Sequence, residues 1–292
     1  MKNSVIVCTQ NRTNSLARLI RSLCLQTLLP DELIIIDASQ DENTYKMLKE
    51  SKFKDYFNII YKKSEAGLTK QRNVGVGLVN GEYLFFFDDD VVLEENFIEV
   101  ICNTFYNFEG NNVGGVMGRI MNISSSTKIW DQLFKRIFFL SDIGKGRVKI
   151  SGLPSIKIDN HISFVESLSG ACMAYRGRVF QDYKFDENLK GYAYLEDVDF
   201  SFRVSKKYRL IYQPKARLIH LPSTYLTADR RALKKQLVQH QTYLFRKNMP
   251  KNIQHYSGLW ISLIGNLIYN GIIQRDPRAC LGIIEGLLNP VR

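Results

Sequence analysis

The stretch "YLFFFDDDVV", residues 83–92, runs apolar and aromatic side chains straight into Asp88, Asp89 and Asp90. Neighbouring carboxylates repel, and each resists leaving water unless something compensates its charge. Two arrangements meet that demand: a solvated turn, or a wall that holds a cation. In an extended segment Asp88 and Asp90 point to the same side. A second acidic group, Glu196, Asp197 and Asp199 within "YLEDVDFSFRVSKK" (194–207), reads as the opening of a helix, where the macrodipole favours acids. Asp199 and Arg203 stand four apart and read as an ion pair on that helix's surface.

The charge balance gives these acids a context. The 292-residue chain has 40 basic and 29 acidic residues, a net charge of +11, which points to an anionic partner: nucleic acid, a phosphorylated metabolite or a membrane surface. No glycine-rich cradle for phosphate is present. The turn after the first apolar segment, "TQNRTN", has no glycine, "GVGLVNG" (75–81) has the wrong spacing and place, and no GxxxxGK[ST] occurs. Phosphates must therefore be held by metal and side chains. The five cysteines, Cys8, Cys24, Cys102, Cys172 and Cys280, are widely spaced and form no CxxC pair, which reads as buried, reduced thiols in a cytosolic protein. The N-terminal apolar run is too short for a signal-peptide core, and no segment reaches the ~18 unbroken apolar residues of a membrane span.

The elements that must position the acids alternate regularly. Strands are expected at 4–8, 32–37, 57–62, 82–87 and 113–120, with helices at 15–26, 43–51, 68–79 and 94–108. Short, continuously apolar strands alternating with helices predict βαβ units and a parallel sheet covered on both faces. Ligands bind such sheets at the carboxyl ends of the strands, where Thr9, Asp37 and the aspartate triplet all fall. Residues 121–165, with Ser124, Ser125 and Ser126, read as irregular. "ACMAYRG" (171–177) reads as a strand and turn, and "RLIYQ" (209–213) and "ARLIHL" (216–221) as two short strands. Beyond residue 228 the pattern is helical, with seven Lys or Arg against one Asp in 228–251, followed by the apolar segments 259–273 and 280–291.

Taken in order, "VCTQNR", "IIIDASQD", "GLTKQRNVGV", "FFFDDD", "GACMAYR" and "YLEDVDFSFR" resemble the motifs of an inverting family 2 glycosyltransferase of GT-A fold, over residues 4–225. The fold that this resemblance implies is α/β: a GT-A (Rossmann-like), mostly parallel sheet with helices on both faces, plus a helical C-terminal extension. Residues 1–225 would form the transferase domain, and residues 226–292 the extension, serving membrane association or an oligomer interface.

The implied reaction moves a sugar from a nucleotide-diphosphate sugar (UDP-, dTDP- or GDP-linked) to a hydroxyl of a saccharide acceptor. The resemblance further suggests that this acceptor is a lipid-linked intermediate of a bacterial surface polysaccharide. The DxD motif maps onto Asp88–Asp90: Asp90 would hold a divalent metal, Mn²⁺ or Mg²⁺, with Asp88, and Asp88 and Asp89 would face the nucleotide-sugar. His220 is a further candidate for the metal or the diphosphate. Thr9, Arg12 and Asp37 would line the nucleotide pocket, although the family pattern has two acids where this chain has Ile36–Asp37. Lys70, Arg72 and Asn73, at a helix start, would suit the diphosphate. Gly170 and Ala171 would lie beside the donor sugar, Glu196 beside acceptor or sugar, and Asp197 would be the base that takes the acceptor's proton. The expected setting is cytoplasmic, peripheral at the inner face of the cell membrane, with an anionic lipid surface as a further partner and no nucleic acid. Two rival readings are a sugar-phosphate nucleotidyltransferase, which would want a glycine-rich basic loop after the first strand, and a non-catalytic nucleic-acid-binding module, which would want a recognisable motif.

Overall fold

The computed structural model describes residues 2–123, 129–221 and 229–291. The chain opens with β1 (Asn3–Thr9), α1 (Thr13–Cys24), β2 (Glu32–Asp37), α2 (Asn43–Glu50), β3 (Asn58–Lys63), α3 (Leu68–Val76) and β4 (Tyr83–Asp88). β2, "ELIIID", is buried at every residue, as a strand flanked on both faces by helices must be. β3, β2, β1 and β4 lie side by side and parallel. Their register places Thr9 opposite Asp37 and Cys8 opposite Asp88, so three strand ends finish level at one edge of the sheet.

The next part contains β5 (Val91–Leu93), α4 (Phe97–Asn107), β6 (Val113–Ile120), α5 (Ile129–Ile137), β7 (Asp142–Ile143), β8 (Ser155–Ile156), β9 (Ser163–Val165), β10 (Cys172–Arg176) and α6 (Val179–Asp182). The stretch expected to be irregular thus holds a helix and three short strands; Ser124, Ser125 and Ser126 lie outside the described residues. β10 enters the sheet antiparallel between β4 and β6, so the sheet is mixed, though largely parallel.

α7 (Glu196–Ser205) leads into β11 (Arg209–His220). The two strands expected here are one strand with an irregular register between Tyr212 and Arg217. Pro214 lies in that gap, where its missing N–H costs no ladder bond. β11 runs parallel to β6 and antiparallel to β5, which sets His220 opposite Val91, immediately after the aspartate triplet.

The boundary expected at residue 225 lies outside the described residues. Beyond it come α8 (Arg230–Asn248), α9 (Ile253–Ile268), a π-helical turn (Tyr269–Ile273) and α10 (Pro277–Leu288). α8 and α10 pack closely: a Cβ on Gly282 would collide with the Arg231 carbonyl. Phe202 of α7 joins Val238, Phe245, Leu259, Leu263 and Ile283 in one apolar cluster, which fastens these helices to the sheet-bearing part.

Two expectations change here. Asp199 pairs with Arg203 at 2.7 Å, but it is 1% exposed and also bonded to Lys247 and Asn248, because α8 covers that side of α7. The basic stretch 228–251 is partly neutralised: Arg230 pairs with Asp276, Arg231 with Glu285, and Lys247 with Asp186. Among the described residues no helix is long and apolar enough to cross a membrane. None of the five cysteines is disulfide-bonded; Cys102 and Cys172 are buried, and Cys8, Cys24 and Cys280 are half-buried.

Candidate active site

A cleft of about 1070 Å³ opens at the carboxyl ends of β1 and β4. Its wall includes Thr9, Arg12, Arg72, all three aspartates of the triplet, Gly170, Ala171, Glu196, Asp197 and His220. Where β4 ends, the chain turns back into β5, and this turn separates the three carboxylates by direction. Asp88, Asp90 and His220 each offer a ligand atom, and these atoms lie within 4.8 Å of one another. Two carboxylate oxygens and an imidazole nitrogen form a donor set that a divalent cation can take, the carboxylates being the part suited to a hard ion such as Mn²⁺ or Mg²⁺. Asp89 instead accepts from the Thr9 hydroxyl at 2.6 Å and from Arg12 Nη1 at 3.1 Å. The same guanidinium reaches Asp90 at 3.2 Å.

The electrostatics follow from burial and partners. Burial pushes Asp89 up to about 6, against the pull of Thr9 and Arg12. Burial also raises Asp88, with the Arg72 charge opposing. At Asp90 burial is outweighed by the hydrogen bond and charge of His220 and the charge of Arg12, and its pKa falls below the ordinary carboxylate value. His220 is raised in turn by its 2.9 Å bond to Asp90.

Arg72 joins the two acidic groups. Its side chain is 3% exposed, and it contacts Glu196 Oε1, Asp88 Oδ1 at 3.3 Å and the Gly170 carbonyl at 3.1 Å. Its guanidinium also stands 5.5 Å from the centre of the Phe185 ring. Burial pushes Glu196 up to about 8 despite Arg72, and among the described residues its Oε2 has no hydrogen-bond partner. Asp197 is held by backbone: Oδ2 accepts from the Gly170 amide and Oδ1 from the Val198 amide, both at 2.8 Å. Gly170 therefore bonds Arg72 through its carbonyl and Asp197 through its amide.

Three of the residues singled out in the sequence do not line this cleft. Asp37 is wholly buried and is satisfied by the Ser39 amide and the Tyr61 hydroxyl, each at 2.8 Å, with Lys63 at 3.6 Å. It braces the turn after β2, which reaches the turn after β1 through the Asn11 amide on Ser39 Oγ. Lys70 is 44% exposed and paired with Glu65. Asn73 bonds the Phe185 backbone and Glu187. Of the three candidates on that helix start only Arg72 lines the cleft, and Gln71 beside it, buried and bonded to the Thr9 and Ile36 carbonyls, lines it too. Tyr192, on the lip of the cleft, was missed; its one sequence signal was an aromatic four residues before Glu196.

The sequence model of glycosyl transferase family 2 matches residues 4–164, more than half of the chain. An uncharacterized glycosyltransferase of Haemophilus influenzae is 27% identical over 73% of this chain and 63% of its own length. The poly(ribitol-phosphate) beta-N-acetylglucosaminyltransferase TarP of Staphylococcus aureus is 36% identical over 38% of this chain and 34% of its own length. The chain thus spans less than two thirds of either curated relative. Among solved structures, the mannosyltransferase PcManGT of Pyrobaculum calidifontis, in complex with GDP-Man and Mn²⁺, superposes with a TM-score of 0.61 at 13% identity, covering 98% of this chain and 86% of that one, a likeness of fold. With the sheet order, the acid-lined cleft and the family match in agreement, the chain belongs to glycosyl transferase family 2.

Proposed function

We propose that this chain is an inverting glycosyltransferase that moves a sugar from a nucleoside-diphosphate sugar to a hydroxyl of a saccharide acceptor. The observation that carries this reading is the shared cleft: the Asp88–Asp90–His220 donor set and the backbone-held Asp197 face one cavity and are joined through Arg72 and Gly170. The acceptor oxygen attacks the anomeric carbon as its proton passes to Asp197, the new C–O bond forms, and the bond to the diphosphate breaks. Two amide donors fix the orientation of the Asp197 carboxylate and leave its remaining lone pairs for that proton. A divalent cation at Asp88, Asp90 and His220 would offset the negative charge gathering on the departing diphosphate. Arg12 and Thr9 hold Asp89 on the nucleotide side, and Glu196, with Oε2 unpartnered, can accept from a sugar hydroxyl. Gly170 and Ala171 let the sugar approach the backbone.

For the acceptor, we propose a lipid-linked precursor of a surface polysaccharide, met at an anionic membrane by the C-terminal extension, residues 226–292, together with α5. The chain's only two tryptophans support this: Trp130 on α5 is 78% exposed and Trp260 on α9 is 56% exposed. α5 rests on the end of α9 through Phe134 and Tyr269, with ring centres 5.8 Å apart. Amphipathic helices carrying Trp and aliphatic residues suit the interfacial region of a bilayer.

Asp197→Asn should cut transfer by about 10²–10⁴-fold while leaving nucleoside diphosphate affinity within about twofold. Release of nucleotide from a panel of UDP-, dTDP- and GDP-sugars would read this, and normal turnover would place the base elsewhere. Asp90→Ala should abolish the Mn²⁺-dependent part of the thermal stabilisation by nucleoside diphosphate; an unchanged shift would remove Asp90 from the metal site. Phosphatidylglycerol vesicles should co-sediment the protein and blue-shift its tryptophan emission, and phosphatidylcholine vesicles should do neither. The Trp130→Ser, Trp260→Ser double variant should stay in the supernatant. A wild-type protein that ignores phosphatidylglycerol would refute the membrane contact.

A further inference from the structure

One stripe of α8 grips the segment that delivers Glu196 and Asp197. Gln236 Nε2 donates to the Lys190 carbonyl at 2.9 Å, and its Oε1 accepts from the Tyr192 amide at 3.1 Å. One turn later His240 Nδ1 lies 3.1 Å from the Tyr194 carbonyl. A carbonyl only accepts, so this nitrogen carries the proton. The Tyr243 hydroxyl donates to Asp186 at 2.9 Å, and Lys247 bridges Asp186 at 2.6 Å and Asp199 at 3.0 Å. Positions 236, 240, 243 and 247 share one helix face.

The gripped segment is wound against its own preference. Gly191, Ala193 and Leu195 have φ of 66°, 51° and 64°. That left-handed region is unfavourable for alanine and leucine, and such backbone persists only where its surroundings over-determine it. A Cβ on Gly191 would displace the Gln236 Nε2 that bonds the turn, so glycine leaves room for that contact. Leu244 packs with Leu189 and Ala193 from the same side. The polar grip falls on backbone groups of residues 190, 192 and 194, which interleave with the three left-handed residues.

We infer that α8 is a clamp that holds the 190–195 turn in this conformation and thereby sets where the Asp197 carboxylate stands in the cleft. Gln236 and His240 are positioning residues; neither lines the cleft. The link to catalysis rests on Asp197 being the base, whereas the clamp is a statement about backbone and can be read separately.

The test uses the full chain with Gln236→Met and His240→Leu. Amide hydrogen exchange should quicken by roughly tenfold or more at residues 190–198 and stay unchanged in β1, β2 and β4. With Mn²⁺, kcat for nucleotide release from UDP-N-acetylglucosamine or GDP-mannose should fall by about tenfold while KM stays within twofold. His240→Asn, whose amide can replace the Nδ1–H donor, should recover most of the loss. Unchanged local exchange, or faster exchange throughout the sheet, would overturn the clamp. Faster local exchange with normal kcat would overturn its link to Asp197. Faster local exchange with no release by the wild-type protein from any member of the UDP-, dTDP- and GDP-sugar panel would sink the link to transfer and leave the clamp standing.

Discussion

Arg72 is the charge on which the rest of the site depends. Five carboxylates, Asp88, Asp89, Asp90, Glu196 and Asp197, line one cleft. Against them stand Arg12 on one wall, His220 on another, and Arg72 in the middle. Arg72 is almost fully desolvated, and what offsets that cost is a set of three acceptors converging on it. Remove it, and Glu196 becomes a buried acid with no hydrogen-bond partner on either oxygen among the described residues. Gly170 loses one of its two bonds at the same moment, and the other is the one that orients Asp197.

The sheet explains how groups so distant in sequence come to share this charge. β1 and β4 finish level because their parallel register is fixed by strands buried on both faces. The antiparallel β10 begins where β4 ends, with Cys172 opposite Phe87, and so places Gly170 and Ala171 beside the triplet. β11, returning along β5, brings His220 to Asp90. The C-terminal helices complete the wall from behind, since α8 holds the turn that leads into α7.

Much of this was legible in the sequence for physical reasons. β2 and β4 announce themselves as apolar runs because both their faces are covered, and the triplet stands out because three acids at the end of such a run need an explanation. Chain direction was less legible: "CMAYR" reads as a strand, but that it runs antiparallel depends on a long connection with no periodic pattern. Helical phase misled at "TKQRN", where Lys70 and Asn73 share Arg72's motif but point elsewhere. Asp37 sits at a strand end as expected, yet its oxygens are spent within the protein. The α8 clamp was invisible, because Gln236, His240 and Lys247 look like any solvated helix face until the partner turn is known.

The most direct test of this account is a double-mutant cycle on Arg72 and Glu196, read by denaturant unfolding at about pH 9, above the value of about 8 to which burial raises Glu196, so that the pair is charged in the wild type. Arg72→Met alone should cost about 3–5 kcal/mol, because it strands a buried acid. Adding Glu196→Gln should return most of that loss, a coupling well above the ~0.5 kcal/mol expected of independent sites. Simple additivity of the two substitutions, or an Arg72→Met protein as stable as the wild type, would contradict the claim that one buried guanidinium holds the two halves of the site together.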